Sequence, residues 1–315
     1  MADVEDIEDP PAFKREDWIG QGKKITDVPI FVLNACTNAF AIPAEHKSHF
    51  PSNNITVSEL LTWDLPSQSS AFITTKAETW FSTDPPRARP DQFIARPMPN
   101  DAFLDKLTRL ARQAWLDGAQ SFIDTRYNDG QDRGPLEMVE YWKEMNRVVK
   151  GRAKWKKCEN WLATGPNDRT HNADTTRTFD SARAILPTLG WDTPVSGLGR
   201  GQTTLTFTSL LGTDWIGEGV VQMMVEQLSE SVRMSAAGSK MDTLVAGVQF
   251  ARALEDAATK KCEYGRTTTP ILSRYEAHID DADVKHLYFP AHVHGSHWIA
   301  VHIDFTTKEV SYGEL

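Results

Sequence analysis

The C-terminal end of the chain alternates between apolar and polar residues. Every second position is apolar in two runs: Leu287, Phe289, Ala291 and Val293, then Ile299, Val301, Ile303 and Phe305. A period of two predicts half-buried β-strands. Gly295–Ser296 separates the two runs, and a polar turn at 306–308 precedes a third short run from Glu309 to Tyr312. The pattern therefore predicts an antiparallel meander of three strands.

Helical spacing appears further upstream. A helix is predicted from Asp101, with Asn100 or Asp101 as its N-cap, and a second from about Pro135 to Ala163, with Pro135 in the first turn. A third, capped by Thr213 or Asp214, and a fourth over 240–259 are predicted next. The apolar face of the third helix is expected to consist of Val221, Met224, Val225, Leu228 and Val232.

Composition between these elements suggests the organisation of the chain. Residues 1–24 are acidic and predict a flexible tail. Residues 25–100 predict an irregular region rich in Pro, Ser and Thr, with one or two strands over the apolar stretch 25–42. Five prolines fall between 85 and 99, which argues against regular structure there. Residues 101–163 are predicted as a helical region, 164–203 as a linker, and 204–315 as a further domain in which 267–283 is a polar connector.

Charge and cysteine content exclude several classes of protein. The formal net charge of −9 over 315 residues disfavours general nucleic-acid binding. Three widely spaced cysteines do not form a disulfide framework and fit a reducing compartment. The N-terminus lacks an apolar signal segment, and no apolar run is long enough to span a membrane. We therefore expect an intracellular protein of nucleus or cytoplasm, with no membrane contact.

Two local features invite alternative interpretations. A basic run, Lys150 to Lys157, with Trp155 and Trp161 interleaved, is either a contact for nucleic acid or an acidic partner, or a solvated helix face; the acidic character of the chain favours the second. The glycine-rich stretch 197–204 suggests a phosphate loop. It lacks the Gly-Lys pair before Ser or Thr, since Gln202 follows Gly201, so a hinge is the better interpretation.

The segment from Leu287 to Leu315 resembles the ubiquitin-like-protease family, cysteine peptidases that process and deconjugate SUMO and its relatives. It carries a strand ending near a proline, a His297–Trp298 pair that opens the next strand, and a Tyr-Gly-acid sequence. A second stretch, 205–230, is similar to the opening block of that family, where a tryptophan precedes a helix. The two blocks together cover 204–315.

The resemblance implies an α+β fold: part of a papain-like peptidase domain, preceded by a mostly helical region. It implies that His297 is the catalytic histidine and that Glu314, where the family has aspartate, orients it. It also implies that Trp215 and Trp298 form a tunnel for the Gly-Gly tail of a ubiquitin-like protein. No cofactor or metal is expected, and the oligomeric state is not predicted.

The family's order places a glutamine and the nucleophilic cysteine after the acid. No cysteine follows His297 in the 315 residues, so we expect the chain as given to be inactive. Cys262 precedes His297 and follows two lysines, which would lower a thiol pKa, but nothing around it is typical of an active-site cysteine. The alternative to a peptidase is a non-catalytic adaptor that binds a ubiquitin-like protein.

A metal site is the remaining alternative. Four histidines fall within eleven residues: His292, His294, His297 and His302. His292 and His294 share a strand face, and such a pair binds zinc or iron in other proteins. His297 and His302 are five apart, so they face opposite sides of one strand. The pattern therefore favours ordinary strand histidines.

Overall fold

A computed structural model describes residues 13–67, 76–127, 131–164, 173–199, 201–235, 242–259, 270–282 and 284–314. The chain divides into two compact units. The first contains Met1–Ser52 and Glu59–Ala153, and the second contains Asn53–Ser58 and Lys154–Leu315. The two differ in architecture, so each is described by itself.

Helices and strands are numbered along the described part of the chain. The helices are α1 (Ile30–Ala39), α2 (Ala44–Lys47), α3 (Val57–Thr62), α4 (Pro90–Ile94), α5 (Asp101–Leu116), α6 (Glu137–Thr164), α7 (Ala173–Ile185), α8 (Glu218–Ser235), α9 (Gln249–Thr259) and α10 (Pro270–Ala282). The strands are β1 (Phe81–Ser82), β2 (Ser121–Ile123), β3 (Arg133–Pro135), β4 (Thr243–Val245), β5 (His286–Val293), β6 (His297–Asp304) and β7 (Glu309–Glu314). Helices and sheets are both present, as the predicted α+β class requires.

The first unit packs helices around a small antiparallel sheet, β1-β2-β3. Helix α5 begins where the sequence predicts, because the Asn100 side chain accepts a hydrogen bond from the Phe103 amide at 3.0 Å. The core of the first unit is aromatic. Four fully buried rings lie at its centre: Trp80, Phe93, Phe122 and Trp142. Ring centroids of Phe122 and Trp142 are 5.1 Å apart, edge to face.

The second unit is built on a four-stranded sheet in the order β4-β5-β6-β7. Strand β4 runs parallel to β5, and the other pairs are antiparallel. The predicted three-strand meander is confirmed, and its register sets Val293 opposite His297. One face of β5 packs on α9, where the rings of Phe250 and Phe289 lie 5.0 Å apart. The alternation of apolar residues therefore reports a buried face, as expected.

Several predicted elements were wrong in the first unit. Residues 30–39 are helical rather than extended, because Val32, Cys36 and Phe40 recur at a spacing of four and bury one helix face. The proline-rich stretch contains α4, in which Pro90 takes the first helical position, where its missing N–H costs nothing. Pro135 lies in β3 rather than in a helix, and α6 begins at Glu137.

Further predictions of secondary structure were wrong in the second unit. The predicted connector 267–283 contains α10, and α7 lies within 164–203, whose role as a linker stays a prediction. Residues 243–245 leave the predicted helix 240–259 and form β4. Helix α8 begins at Glu218, after the predicted caps, and Met224 and Leu228 on its predicted apolar face are 57% and 52% exposed. In these segments, tertiary contacts determine the secondary structure rather than the local pattern of apolar and polar residues.

The glycine-rich stretch is held by the chain's own carboxylate. The Gly199 amide donates a hydrogen bond of 2.6 Å to Glu226 of α8, and the Gln222 side chain donates to the same carboxylate at 2.7 Å. Gly199 has φ +58°, and an added Cβ would meet Met223 at 2.5 Å. This amide therefore already has an anionic partner, which argues against the phosphate-loop interpretation. In the described residues no helix is both long and apolar enough to cross a bilayer.

Candidate functional site

His297 stands at the first position of β6, after a tight turn. The turn carries two left-handed residues, His294 with φ 54° and Gly295 with φ 70°, and the Ser296 amide donates to the Val293 carbonyl at 3.3 Å. Asn, Asp and His tolerate this conformation better than most side chains, and glycine adopts it freely. The turn reverses the chain sharply, so the half-buried imidazole is fixed at the rim of the sheet.

Trp298, the next residue, joins the sheet to the segment that precedes α8. Its indole N–H donates a hydrogen bond of 3.0 Å to the carbonyl of Ile216. Its ring lies 4.7 Å from that of His292, the register partner on β5. These two contacts fix the orientation of the indole and bring residues 215–216 to the start of β6.

Trp215 lies beside the histidine. Its ring meets that of His297 edge to face, with centroids 6.4 Å apart and an angle of 85°. The Trp215 side chain is 72% exposed, so the contact leaves most of the ring open to solvent. The neighbouring Asp214 forms an ion pair of 2.7 Å with Lys157. Among the ring contacts of the described residues, none joins Trp215 to Trp298.

Glu314 lies in β7, on the strand next to the histidine. Its backbone pairs with Ile299, which is two residues from His297 along β6. Of the predicted site residues, Trp215 contacts His297, and Trp298 follows His297 directly in the chain. Residue 314 lies on the neighbouring strand. The orienting role assigned to Glu314 stays a prediction.

An imidazole at a strand head needs a thiol beside it to act as a peptidase base. Cys36 and Cys158 are buried, and burial raises the pKa of each thiol to about 11. Both thiols are therefore neutral near pH 7 and unsuited to nucleophilic attack. Cys262, the third cysteine, lies outside the described residues.

A second histidine cluster lies at the other end of β6. The His302 ring stacks on Tyr288 at 4.4 Å, and its two nitrogens lie 3.2 Å from His286 and 3.3 Å from Ser311. His286 also lies 3.9 Å from the carboxylate of Asp304. His286 was not among the predicted site residues, although its register position opposite Asp304 follows from the meander. Over the described ranges, no group of three or more His, Cys, Asp or Glu side chains is arranged for a metal.

The contacts that support the site have no signal in the sequence. The Ile216 carbonyl holds Trp298, yet carbonyls are common to all residues and give no compositional signal. The Asp214–Lys157 pair joins residues 57 positions apart. Lys157 belongs to the basic run, whose Trp155 is fully buried and donates to the Trp191 carbonyl at 2.9 Å. The run therefore anchors structure in this unit, in line with the interpretation favoured for it.

His297 thus lies at the rim of an antiparallel sheet, next to an indole that is fixed by a hydrogen bond. Residues 214–312 match the family model described as the Ulp1 protease family, C-terminal catalytic domain. The predicted resemblance to the ubiquitin-like-protease family is thus confirmed over these residues. No curated protein and no solved structure matches the chain. The matched family consists of cysteine peptidases that act on ubiquitin-like modifiers.

Proposed function

We propose that the segment 214–312 recognises the extended Gly-Gly tail of a ubiquitin-like protein of the SUMO type, through Trp215 and Trp298. The observation that carries the proposal is the hydrogen bond from the Trp298 indole to the Ile216 carbonyl. This bond ties the segment that bears Trp215 to the strand head that bears His297. The family match over the same residues supports the class of partner.

The chemistry of the partner follows from the rings. A glycine backbone has no side chain, so two flat indoles approach it from both sides with little steric conflict. Any larger residue at the tail would push the rings apart. Specificity then depends on shape rather than charge, and Trp215, mostly exposed, is free to reorient toward the tail when it arrives.

His297 would lie next to the peptide or isopeptide bond that follows the Gly-Gly tail. In a complete site it would take a proton from a cysteine, with Glu314 holding the imidazole. The 315 residues carry no cysteine after His297, and the two described thiols are buried with raised pKa values. We therefore propose that this polypeptide binds its partner without cleaving it.

The test is a titration of the 315-residue chain with a SUMO-type protein ending in Gly-Gly, followed by isothermal calorimetry. We expect Trp215→Ala and Trp298→Ala each to weaken binding at least about tenfold, the scale of a residue that dominates an interface. Met234→Ala is the matched control, since Met234 is also exposed and apolar but lies at the end of α8.

Circular dichroism of each variant confirms that it is folded. Equal binding by the two tryptophan variants and the parent chain would contradict the assignment of the site. Binding of ubiquitin in preference to SUMO would overturn the SUMO-type specificity while leaving the tail-binding proposal intact. Hydrolysis of the tail by the parent chain would contradict the proposed lack of activity.

A further inference from the structure

Two histidines on neighbouring strands meet on one face of the sheet in the second unit. Phe289 of β5 packs on α9, so His286 and Tyr288, at the alternate positions of this strand, project from the opposite face. His302 of β6 lies opposite Tyr288 in the register and shares that face. The Nδ1 atom of His286 lies 3.2 Å from the Nε2 atom of His302.

The separation of these two nitrogens matches that of two ligands on one metal ion. Bonds of about 2.0–2.1 Å place two ligating nitrogens about 2.9 Å apart at a right angle and about 3.4 Å apart at a tetrahedral angle. The 3.2 Å between His286 and His302 lies between these limits. An ion bound to both nitrogens would therefore join β5 to β6 with little movement of either ring.

The contacts of His302 orient its ring for such an ion. Its Nδ1 atom lies 3.3 Å from the hydroxyl of Ser311 on β7. When Nδ1 carries the proton and donates it to this hydroxyl, Nε2 directs its lone pair toward His286. The ring also stacks on Tyr288, with centroids 4.4 Å apart and an angle of 9°. Supporting contacts of this kind set the tautomer and the orientation of a ligating histidine.

A carboxylate lies beside the pair. The Oδ1 atom of Asp304 accepts hydrogen bonds from the backbone N–H groups of Thr306 and Thr307, at 2.8 and 3.1 Å. Its Oδ2 atom lies 3.9 Å from the Nδ1 atom of His286, so its negative charge would favour a bound cation. Among the described side chains no group of three ligands is arranged for a metal, so water would complete the coordination. The side chain of His286 is 32% exposed, which gives an ion access from solvent.

We propose that His286 and His302 bind a divalent transition-metal ion, Zn²⁺ or Cu²⁺, between β5 and β6. Imidazole nitrogen suits these ions, whereas Mg²⁺ and Ca²⁺ prefer oxygen ligands. The two residues are 16 positions apart, and the group of histidines between 292 and 302 that the sequence singles out does not contain His286. The site does not depend on recognition of a ubiquitin-like tail.

The first test is calorimetric titration of the 315-residue chain with Zn²⁺. We expect binding that His286→Ala and His302→Ala each weaken at least about tenfold, because each variant removes one of two protein ligands. His278→Ala is the matched control, since His278 is an exposed histidine on α10 and should leave the affinity unchanged. Mg²⁺ should not compete with Zn²⁺. Circular dichroism of each variant confirms that it is folded.

The second test identifies the ligands. Electron paramagnetic resonance of the Cu²⁺-loaded chain should show coupling to two imidazole nitrogens, and the double variant His286→Ala/His302→Ala should lose it. Zn²⁺ should raise the midpoint of thermal unfolding of the parent chain and not that of the double variant, because an ion that binds the folded state stabilises it. Absence of Zn²⁺ binding by the parent chain, or equal binding by the parent and the double variant, would overturn the proposal.

Discussion

The two compact units use their large aromatic and aliphatic side chains differently. The first unit buries Trp80, Phe122 and Trp142 completely around a three-stranded sheet. The second unit also buries Trp155 and Trp191 completely, but it leaves Trp215 and Tyr312 largely in solvent. Burial of an aromatic ring stabilises a fold, whereas exposure of one leaves apolar area for a partner. The comparison separates residues that hold the chain together from residues available for recognition.

The largest expected effect contrasts two tryptophans. Trp142→Ala removes a ring that packs on Phe122 and Phe93, and we expect it to lower the free energy of unfolding by about 3–5 kcal/mol. Trp215→Ala should change it by less than about 0.5 kcal/mol, because the side chain is mostly exposed. Urea denaturation followed by circular dichroism measures both. Similar decreases in the free energy of unfolding for the two variants would remove the distinction between the units.

The next effect concerns a buried ion pair in the first unit. Arg126 donates two hydrogen bonds, of 2.8 and 2.7 Å, to the fully buried Asp124 carboxylate. Arg126→Met would leave that carboxylate buried without its cation, so we expect a loss of about 3 kcal/mol in urea denaturation. The matched control is Arg233→Met, which breaks an exposed pair with Glu230 in the second unit and should have no measurable effect. Equal effects in both would contradict the account.

A smaller effect involves one thiol in each unit. Burial raises the pKa of Cys36 and of Cys158 to about 11, above the ordinary value of about 8.5. Below pH 8.5 the thiols are protonated in the folded and unfolded states alike. As the pH rises toward 11 the unfolded state loses these protons first, so the stability of the fold decreases.

Alkylation with iodoacetamide at pH 8, followed by peptide mapping, measures the protection of these thiols directly. We expect Cys36 and Cys158 to stay unmodified in the native protein and to react after denaturation. Rapid modification of Cys158 in the native protein would reopen the question of a nucleophile in the second unit. Modification of Cys36 alone would show that the first unit is the less protected of the two.

The smallest effect lies at the turn after β6. The backbone N–H groups of Thr307 and Thr306 donate to Asp304 and lower the pKa of its carboxyl. This stabilisation is present above the ordinary pKa of about 3.9 and is lost as the pH falls through the lower folded value. We expect Asp304→Asn to flatten the acid limb of the stability profile slightly. An unchanged limb would show that these hydrogen bonds do not favour the ionised form.

The sequence predicted those elements whose pattern is local. The β5-β6-β7 meander has a clear period of two, and α5 has a side-chain cap at Asn100. Helix α10 and strand β4 were not predicted, because α10 lies in a polar stretch and β4 has only three residues. Its parallel pairing with β5 joins residues more than forty positions apart, and a local pattern does not report such a contact.

The candidate site was predictable in its side chains and not in its supports. The His297–Trp298 pair and Trp215 were found from the sequence, since their residue types carry the resemblance to the matched family. The Ile216 carbonyl that holds Trp298 was not, and neither was the Asp214–Lys157 ion pair. Both supports arise only when distant segments fold together. The roles assigned to Trp215, His297, Trp298 and Glu314 stay predictions, and Cys262 lies outside the described residues.

The most direct test of the account compares two tails on one partner. A SUMO-type protein ending in Gly-Gly is titrated into the 315-residue chain, and the same protein ending in Ala-Ala is titrated under identical conditions. If the tail is held between the rings of Trp215 and Trp298, we expect the Gly-Gly form to bind and the Ala-Ala form to bind at least about tenfold more weakly. Equal affinity for the two tails would contradict recognition of the tail by these rings.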